Sequence, residues 1–229
     1  MAATARSPAA VDPRRAWLAG ASGLVGRALL QRLLDDARWQ HVDLLARRAL
    51  PGLPAHAKLQ PHLIDFAQPP STLPATDDVF IALGTTIKVA GSQQAFRHVD
   101  FDAVVNTARA GRAAGATRLA VVSALGADAS SSVFYNRVKG EAEAALADLG
   151  YECLVIARPS LLAGDRASLG QPERAGEVWA LRLLGPVMGL VPKGVRPIRA
   201  DDVARSMIAA LAQGTPGRRV LSSAQMQPR

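Results

Sequence analysis

Gly20-Ala21-Ser22-Gly23-Leu24-Val25-Gly26 decides how the rest of the chain is read. A short apolar run at residues 16–19 precedes it. After it come Leu29, Leu30, Leu33 and Leu34, spaced as one face of a helix. Strand, tight turn and helix N-terminus in that order make a phosphate site. Glycine adopts backbone angles closed to other residues and lets a pyrophosphate approach the chain, while the free N–H groups of a first helical turn meet the anion's charge. Gly-rich turns with this GxxGxxG spacing also serve as plain connections. The flanking strand and helix patterns favour nucleotide binding, with Gly20, Ser22, Gly23, Leu24, Val25 and Gly26 as contacts.

Beyond that turn the chain alternates. Strand-like apolar runs fall at residues 16–19, 42–46, 59–64, 79–83, 119–123 and 152–157, separated by helical patterns at 24–37, 92–114 and 133–149 or by loops. Continuous apolar runs belong to strands buried on both sides, so the expected fold is α/β, a doubly wound parallel sheet with helices on each face. After the sixth run come a helix near 173–184, a strand-like 195–199 and a helix over 202–212 that Asp201 or Asp202 would cap. The 229 residues suffice for one sizeable core and show no break in composition. Residues 15–229 therefore read as one nucleotide-binding domain, whose small substrate-side portion starts near residue 158.

Composition narrows the function. Residues 1–14 are rich in Ala, Pro and Arg with Asp12 as their one acid; the makeup is shared with transit sequences, and the segment is read as a disordered tail. Residues 181–191 are interrupted by Gly185, Pro186 and Gly189 and fall short of the roughly 20 residues a bilayer needs, so no membrane partner is expected. A net charge of +8 raises the question of nucleic acid, but the arginines are scattered and only 4% of residues are aromatic, which leaves no stacking platform. The single Cys153 has no disulfide partner within the chain and suits a reducing compartment, so a cytoplasmic location is expected; it reads as a small core residue, with a reactive thiol as the alternative. His41, His56, His62 and His98 lack metal-ligand spacing, and no metal is expected.

In an open parallel sheet, ligands bind beyond the carboxyl ends of the strands. Arg47 and Arg48 end the second run, with no Asp or Glu from residue 46 to 51. An acid there would take the ribose hydroxyl of NAD, whereas an arginine pairs with the 2′-phosphate of NADP, so the expected cofactor is NADP(H). Solvated surface charge is the alternative for both arginines. Asp65 ends the third run and is placed to meet an adenine amine or to close a turn. Leu83, Gly84 and Thr85 follow the fourth run, where a glycine beside small hydroxyl residues lets a ribose lie close to the backbone.

A second cluster carries chemistry. Tyr135 and Lys139 lie four residues apart, on one helical face, and Ser123 ends the preceding strand-like run. A free phenol, with a pKa of about 10, is a poor proton carrier at neutral pH, and a neighbouring cation favours its phenolate. Ser123 is assigned a hydrogen bond to a substrate carbonyl, Tyr135 the proton and Lys139 the nicotinamide ribose. A tyrosine packing on a lysine stem is the alternative for the pair alone.

Taken together, GASGLVG (20–26), LLARR (44–48), ALGTT (82–86), HVDFDAV (98–104), VVSALGADASSSVFYNRVKGEAE (121–143) and RPSLLAGDR (158–166) resemble the short-chain dehydrogenase/reductase superfamily of Rossmann folds. Within it they resemble the atypical branch that includes the Tat-interacting tumour-suppressor proteins. The resemblance covers roughly residues 15–215. It implies Ser123, Tyr135 and Lys139 as catalytic residues, and Pro159 and Leu161 in the loop that closes on the nicotinamide. Asp100 stands where extended members often carry an Asn that supports a water relay. The implied activity is an NADP(H)-dependent oxidation or reduction of a small carbonyl or alcohol. The alternative that the resemblance suggests is a non-catalytic NADPH-binding regulator with a protein partner, over which Ser123, Tyr135 and Lys139 together favour an enzyme, and an oligomer is admitted. The chain leaves little room for the substrate lobe of a nucleotide-sugar epimerase.

Overall fold

Strand β1 (Arg14–Ala19) shows how the sheet is held, because its side chains alternate between two cores. Ala16 and Leu18 pack on one face with Leu44 and Phe80, while Trp17 and Ala19 pack on the other with Ile81, Val121 and Ile156. The computed structural model describes residues 13–163, 192 and 194–228. Residues 1–12 of the expected tail, the helix expected at 173–184 and the apolar stretch 181–191 lie outside them.

The turn after β1 leads into α1 (Leu24–Asp35), then β2 (Trp39–Ala46), β3 (Leu59–Leu63) and β4 (Asp78–Ile81). Two short helices follow, α2 (Ile87–Ala90) and α3 (Gln93–Arg97). A π-helical turn (His98–Ala103) then runs into α4 (Val104–Ala113). β5 (Arg118–Val122), α5 (Phe134–Ala147), β6 (Cys153–Arg158), β7 (Leu162–Ala163), β8 (Ile198–Arg199), α6 (Ala200–Gln213), β9 (Gly217–Ser222) and α7 (Ser223–Met226) complete the order. The main sheet is parallel, in the order β3-β2-β1-β4-β5-β6-β9. Helices α1 and α6 cover one face through Leu29, Leu33, Met207 and Leu211; α4 and α5 cover the other through Val104, Ala108 and Leu146. This is the doubly wound Rossmann architecture. Its chain order reverses between β1 and β4, which opens a crevice at their carboxyl ends.

Four features depart from the expectation. β1 starts at Arg14, inside the expected tail, because the Arg14 guanidinium is bonded to the fully buried Asp78. The helix expected over 92–114 is divided by the π turn. α6 starts at Ala200 with Arg199 at its N-cap and no side-chain cap; Asp201 and Asp202 sit in its first turn, where the helix dipole favours acids. β9 extends the sheet beyond β6. Its mostly exposed sequence, GRRVLS, gave no apolar run to read.

Candidate cofactor and active site

The turn between β1 and α1 is built by close backbone approach. Gly20 has φ +100°, and a Cβ there would come within 2.5 Å of the Ala82 carbonyl. A Cβ at Gly26 would lie 2.1 Å from the Gly20 oxygen. Gly26 is the correction within this motif: it lets α1 press against the turn and does not line the cleft, as the other five residues do. Gly23 is the N-cap of α1; no side chain caps this helix, and no acid occupies its first turn. Its leading N–H groups and dipole thus face the cleft without a protein anion, which fits a pyrophosphate.

The cleft has a volume of about 480 Å³ and runs along the carboxyl ends of β1, β2, β4 and β5. Arg47, Arg48, Asp65, Leu83, Gly84, Thr85, Ser123, Tyr135, Lys139, Pro159 and Leu161 all line it, so residues far apart in sequence, from Arg47 to Leu161, converge. Arg47 and Arg48 are exposed, and no ion pair ties them down among the described residues. Asp65 is exposed at the cleft and also closes its own turn, accepting the Ala67 amide at 2.9 Å. Pro159 and Leu161 flank Ser160, whose hydroxyl donates to the Arg196 carbonyl and accepts from Ser223, fastening this segment to α7.

The catalytic candidates sit in two buried polar networks. In the first, Lys139 Nζ lies 2.7 Å from Asp100 Oδ1, and Asp100 Oδ2 accepts the Thr85 amide at 2.8 Å. Burial by itself would lower the proton affinity of this ammonium. The charge of Asp100, followed by Tyr135 and Glu143, outweighs burial and holds Lys139 above the ordinary lysine value. Tyr135 is half-buried, with its ring centroid 5.3 Å from that of Phe96.

In the second network, the Ser123 hydroxyl donates to Glu143 Oε1 at 2.5 Å. Glu143 also accepts from Arg158 through Nε at 2.9 Å and Nη2 at 2.6 Å. Both Glu143 oxygens act as acceptors in this bidentate arrangement. The single proton of Ser123 therefore goes to Glu143, and Ser123 offers an acceptor to the cleft. The carbonyl contact expected of it needs a donor.

Asp100, Glu143 and Arg158 were given no role in the sequence reading. Glu143 carried a usable signal, being four residues after Lys139 on the same helix. Arg158 ends β6 as Arg47 and Arg48 follow β2, and the same rule of strand ends would have found it.

Fold and site together define a nucleotide-binding oxidoreductase-like domain. Residues 20–177 match the NAD(P)H-binding family, to which the chain belongs. Within it the chain is an atypical short-chain dehydrogenase/reductase of the HTATIP2-like branch. Protein HTATIP2 of Rattus norvegicus is 35% identical over 173 residues, covering 74% of this chain and 69% of its own length. Protein fmp52, mitochondrial, of Aspergillus fumigatus is 36% identical over 204 residues, 84% of this chain and 85% of its own. Protein FMP52, mitochondrial, of Coccidioides immitis is 38% identical over 163 residues, 65% of this chain and 66% of its own. Among solved structures, MoeE5 in complex with UDP-glucose and NAD superposes with a TM-score of 0.68 at 18% identity, over 90% of this chain and 75% of that one; this likeness shows the fold. The cytoplasmic expectation is corrected by the fungal relatives, which are named mitochondrial. A lone cysteine marks a reducing environment and does not tell one such compartment from another.

Proposed function

We propose that this chain is an NADP(H)-dependent oxidoreductase acting on a small carbonyl or alcohol, with Tyr135 as the group that gives or takes the proton. The observation that carries the reading is convergence: the uncapped α1 terminus, Arg47 and Arg48, and the Ser123, Tyr135 and Lys139 trio all line one cleft. The turn at residues 20–25 would hold the pyrophosphate, Arg47 and Arg48 a 2′-phosphate, and Lys139 the nicotinamide ribose. The bound cofactor supplies or removes a hydride. Tyr135 transfers the accompanying proton at its phenol oxygen, and Lys139 stands one turn further along the same helical face and lines the same cleft. Ser123 donates to Glu143, so through its lone pairs it accepts from the hydroxyl of an alcohol substrate or product.

That same engagement of Ser123 favours a second reading, a non-catalytic NADPH-binding regulator with a protein partner. For location we follow the fungal relatives, whose names place them in mitochondria. Tyr135→Phe separates the two readings, because it removes only the hydroxyl. Turnover of NADPH against a panel of aldehydes, ketones and quinones should fall by about 10² to 10⁴ while NADPH binding persists. Equal rates in wild type and variant would remove Tyr135 from the chemistry. A wild type that binds NADPH tightly and reduces nothing in the panel would leave the regulator.

A further inference from the structure

The π turn at His98–Ala103 is the one interruption in the long helical stretch before β5, and it holds Asp100. A π turn adds a residue to the helical repeat and re-aims the side chains it carries. Here it brings a carboxylate that is 1% exposed onto a lysine that is 5% exposed. The loop after β4 shares this arrangement, since a Cβ at Gly84 would stand 3.2 Å from Asp100 Oδ1 and 3.7 Å from Lys139 Nζ. A larger residue at 84 would crowd the ion pair.

We propose that Asp100 is a positioning residue for Lys139: one carboxylate holds the buried ammonium on the Tyr135 side of the cleft and ties it to the loop at Thr85. The proposal rests on the reading of Tyr135 and Lys139 as the proton-handling pair. A buried lysine without a counter-charge sheds its proton, and a neutral amine would no longer present a positive charge beside Tyr135. Asp100 prevents that through a direct charge contact. Tyr135 and Glu143 on α5 also act on Lys139. His98, from the same π turn, lines the cleft, with its own partner at Asp102. Among these groups Asp100 alone is in ion-pair contact with the ammonium.

The chain has four lysines, Lys58, Lys88, Lys139 and Lys193, so its lysine side-chain spectrum can be assigned completely. The test is a pH titration of the full-length protein carrying ¹³Cε-lysine, followed by NMR without cofactor or substrate, with Lys139→Met identifying the resonance. In wild type the Lys139 signal should keep its protonated shift at pH values where exposed lysines titrate. In Asp100→Asn, which keeps the size and an acceptor for the Thr85 amide, the midpoint should drop by about one pH unit or more. A purely structural Asp100 would change melting temperature and leave that midpoint in place. Titration of wild-type Lys139 together with the exposed lysines overturns the proposal even if the variant does not fold, and so does an unchanged midpoint in a folded Asp100→Asn. Neither result depends on turnover, so failure of the oxidoreductase reading shows separately in the Tyr135→Phe assay.

Discussion

Asp78 and Asp100 are both buried carboxylates paired with cations, at opposite ends of the sheet. Asp78 opens β4 at its amino end, where it accepts from Arg14, forms an ion pair with Arg118 at 2.8 Å and accepts the Trp39 indole N–H at 2.7 Å. The guanidiniums of Arg14 and Arg38 lie over the Trp39 ring, 5.1 and 4.9 Å from its centroid, and close the cluster from outside. Asp100, beyond the carboxyl end of β4, has one cation and one backbone amide, and it faces the cleft. The difference lies in the donors. The arginines around Asp78 do not give up a proton in proteins, so that pairing keeps its cations; a lysine partner beside a cleft can lose its proton. The first arrangement holds strands together and the second is suited to chemistry.

The largest effect that would break this contrast is on stability at the amino end. Asp78→Asn leaves Arg14 and Arg118 charged and without their counter-ion, so unfolding free energy measured in denaturant should fall by about 3 to 5 kcal/mol. That is a large share of the roughly 5 to 15 kcal/mol typical of a domain. NADPH affinity of the folded fraction should not change. A loss under about 1 kcal/mol would mean that the cluster is not what holds β1 to β4 and β5.

The arginines of the two ends should differ in function in the same way. Arg14 and Arg118 are engaged by Asp78, whereas Arg47 and Arg48 stand exposed at the cleft. NADPH should raise the melting temperature more than NADH at equal concentration. Arg47→Ala should shrink the difference in affinity by about 1.5 to 3 kcal/mol, the range of a charge-assisted hydrogen bond. Equal shifts by both nucleotides in wild type would remove the 2′-phosphate assignment.

Asp100→Asn sharpens the comparison from the carboxyl end. Its cost in stability should be smaller than that of Asp78→Asn, about 1 to 3 kcal/mol, since Lys139 can lose its proton where the arginines cannot. The cost should also shrink as pH rises and Lys139 becomes neutral in the variant. Wild type behaves oppositely at high pH. Its Lys139 is held above the ordinary lysine value, so the stability that this shift contributes is complete below about pH 10 and is lost as pH rises through the folded value. An Asp100→Asn penalty equal to that of Asp78→Asn and constant with pH would erase the distinction between the two ends.

The two ends also differ in how far they could be read from sequence. Apolar runs and glycine spacing located six strands of the main sheet, the turn at 20–26 and the strand-end residues Arg47, Asp65, Leu83 and Ser123 that line the cleft. These features are legible because they are local: a period of two or 3.6, or a backbone that must pass close to itself. Nothing in the sequence pairs Asp78 with its cations, and Asp100 stands out only as a departure from a family pattern. Their cation partners lie 39 to 64 residues away, and periodicity carries no information about which distant cation a carboxylate meets. The edge strand β9 escaped for another reason. Half-covered, it uses Arg218 and Arg219 where a central strand would use Val or Ile.

The smallest effect belongs to an ion pair at neither end. Arg32 of α1 donates to both oxygens of Asp201 in the first turn of α6, at 2.7 and 2.6 Å, and both side chains are substantially exposed. The hydrogen bond to Arg32 holds the Asp201 carboxyl below its ordinary value despite partial burial, and Arg32 is raised in turn. A lowered carboxylate contributes stability that is present above its unfolded value, near pH 4, and is lost as pH falls through the folded value. Arg32 stays charged throughout, so all the pH dependence comes from Asp201. Arg32→Gln, which leaves Asp201 free to interact with the α6 dipole, should therefore cost less than about 1 kcal/mol at neutral pH, as exposed pairs do. The gap between wild type and variant in denaturant melts should close as pH is lowered past 4 and should narrow in added salt. A gap that persists at low pH would show that the Arg32 side chain supports the packing of α1 on α6 through its methylene stem, independently of the ion pair.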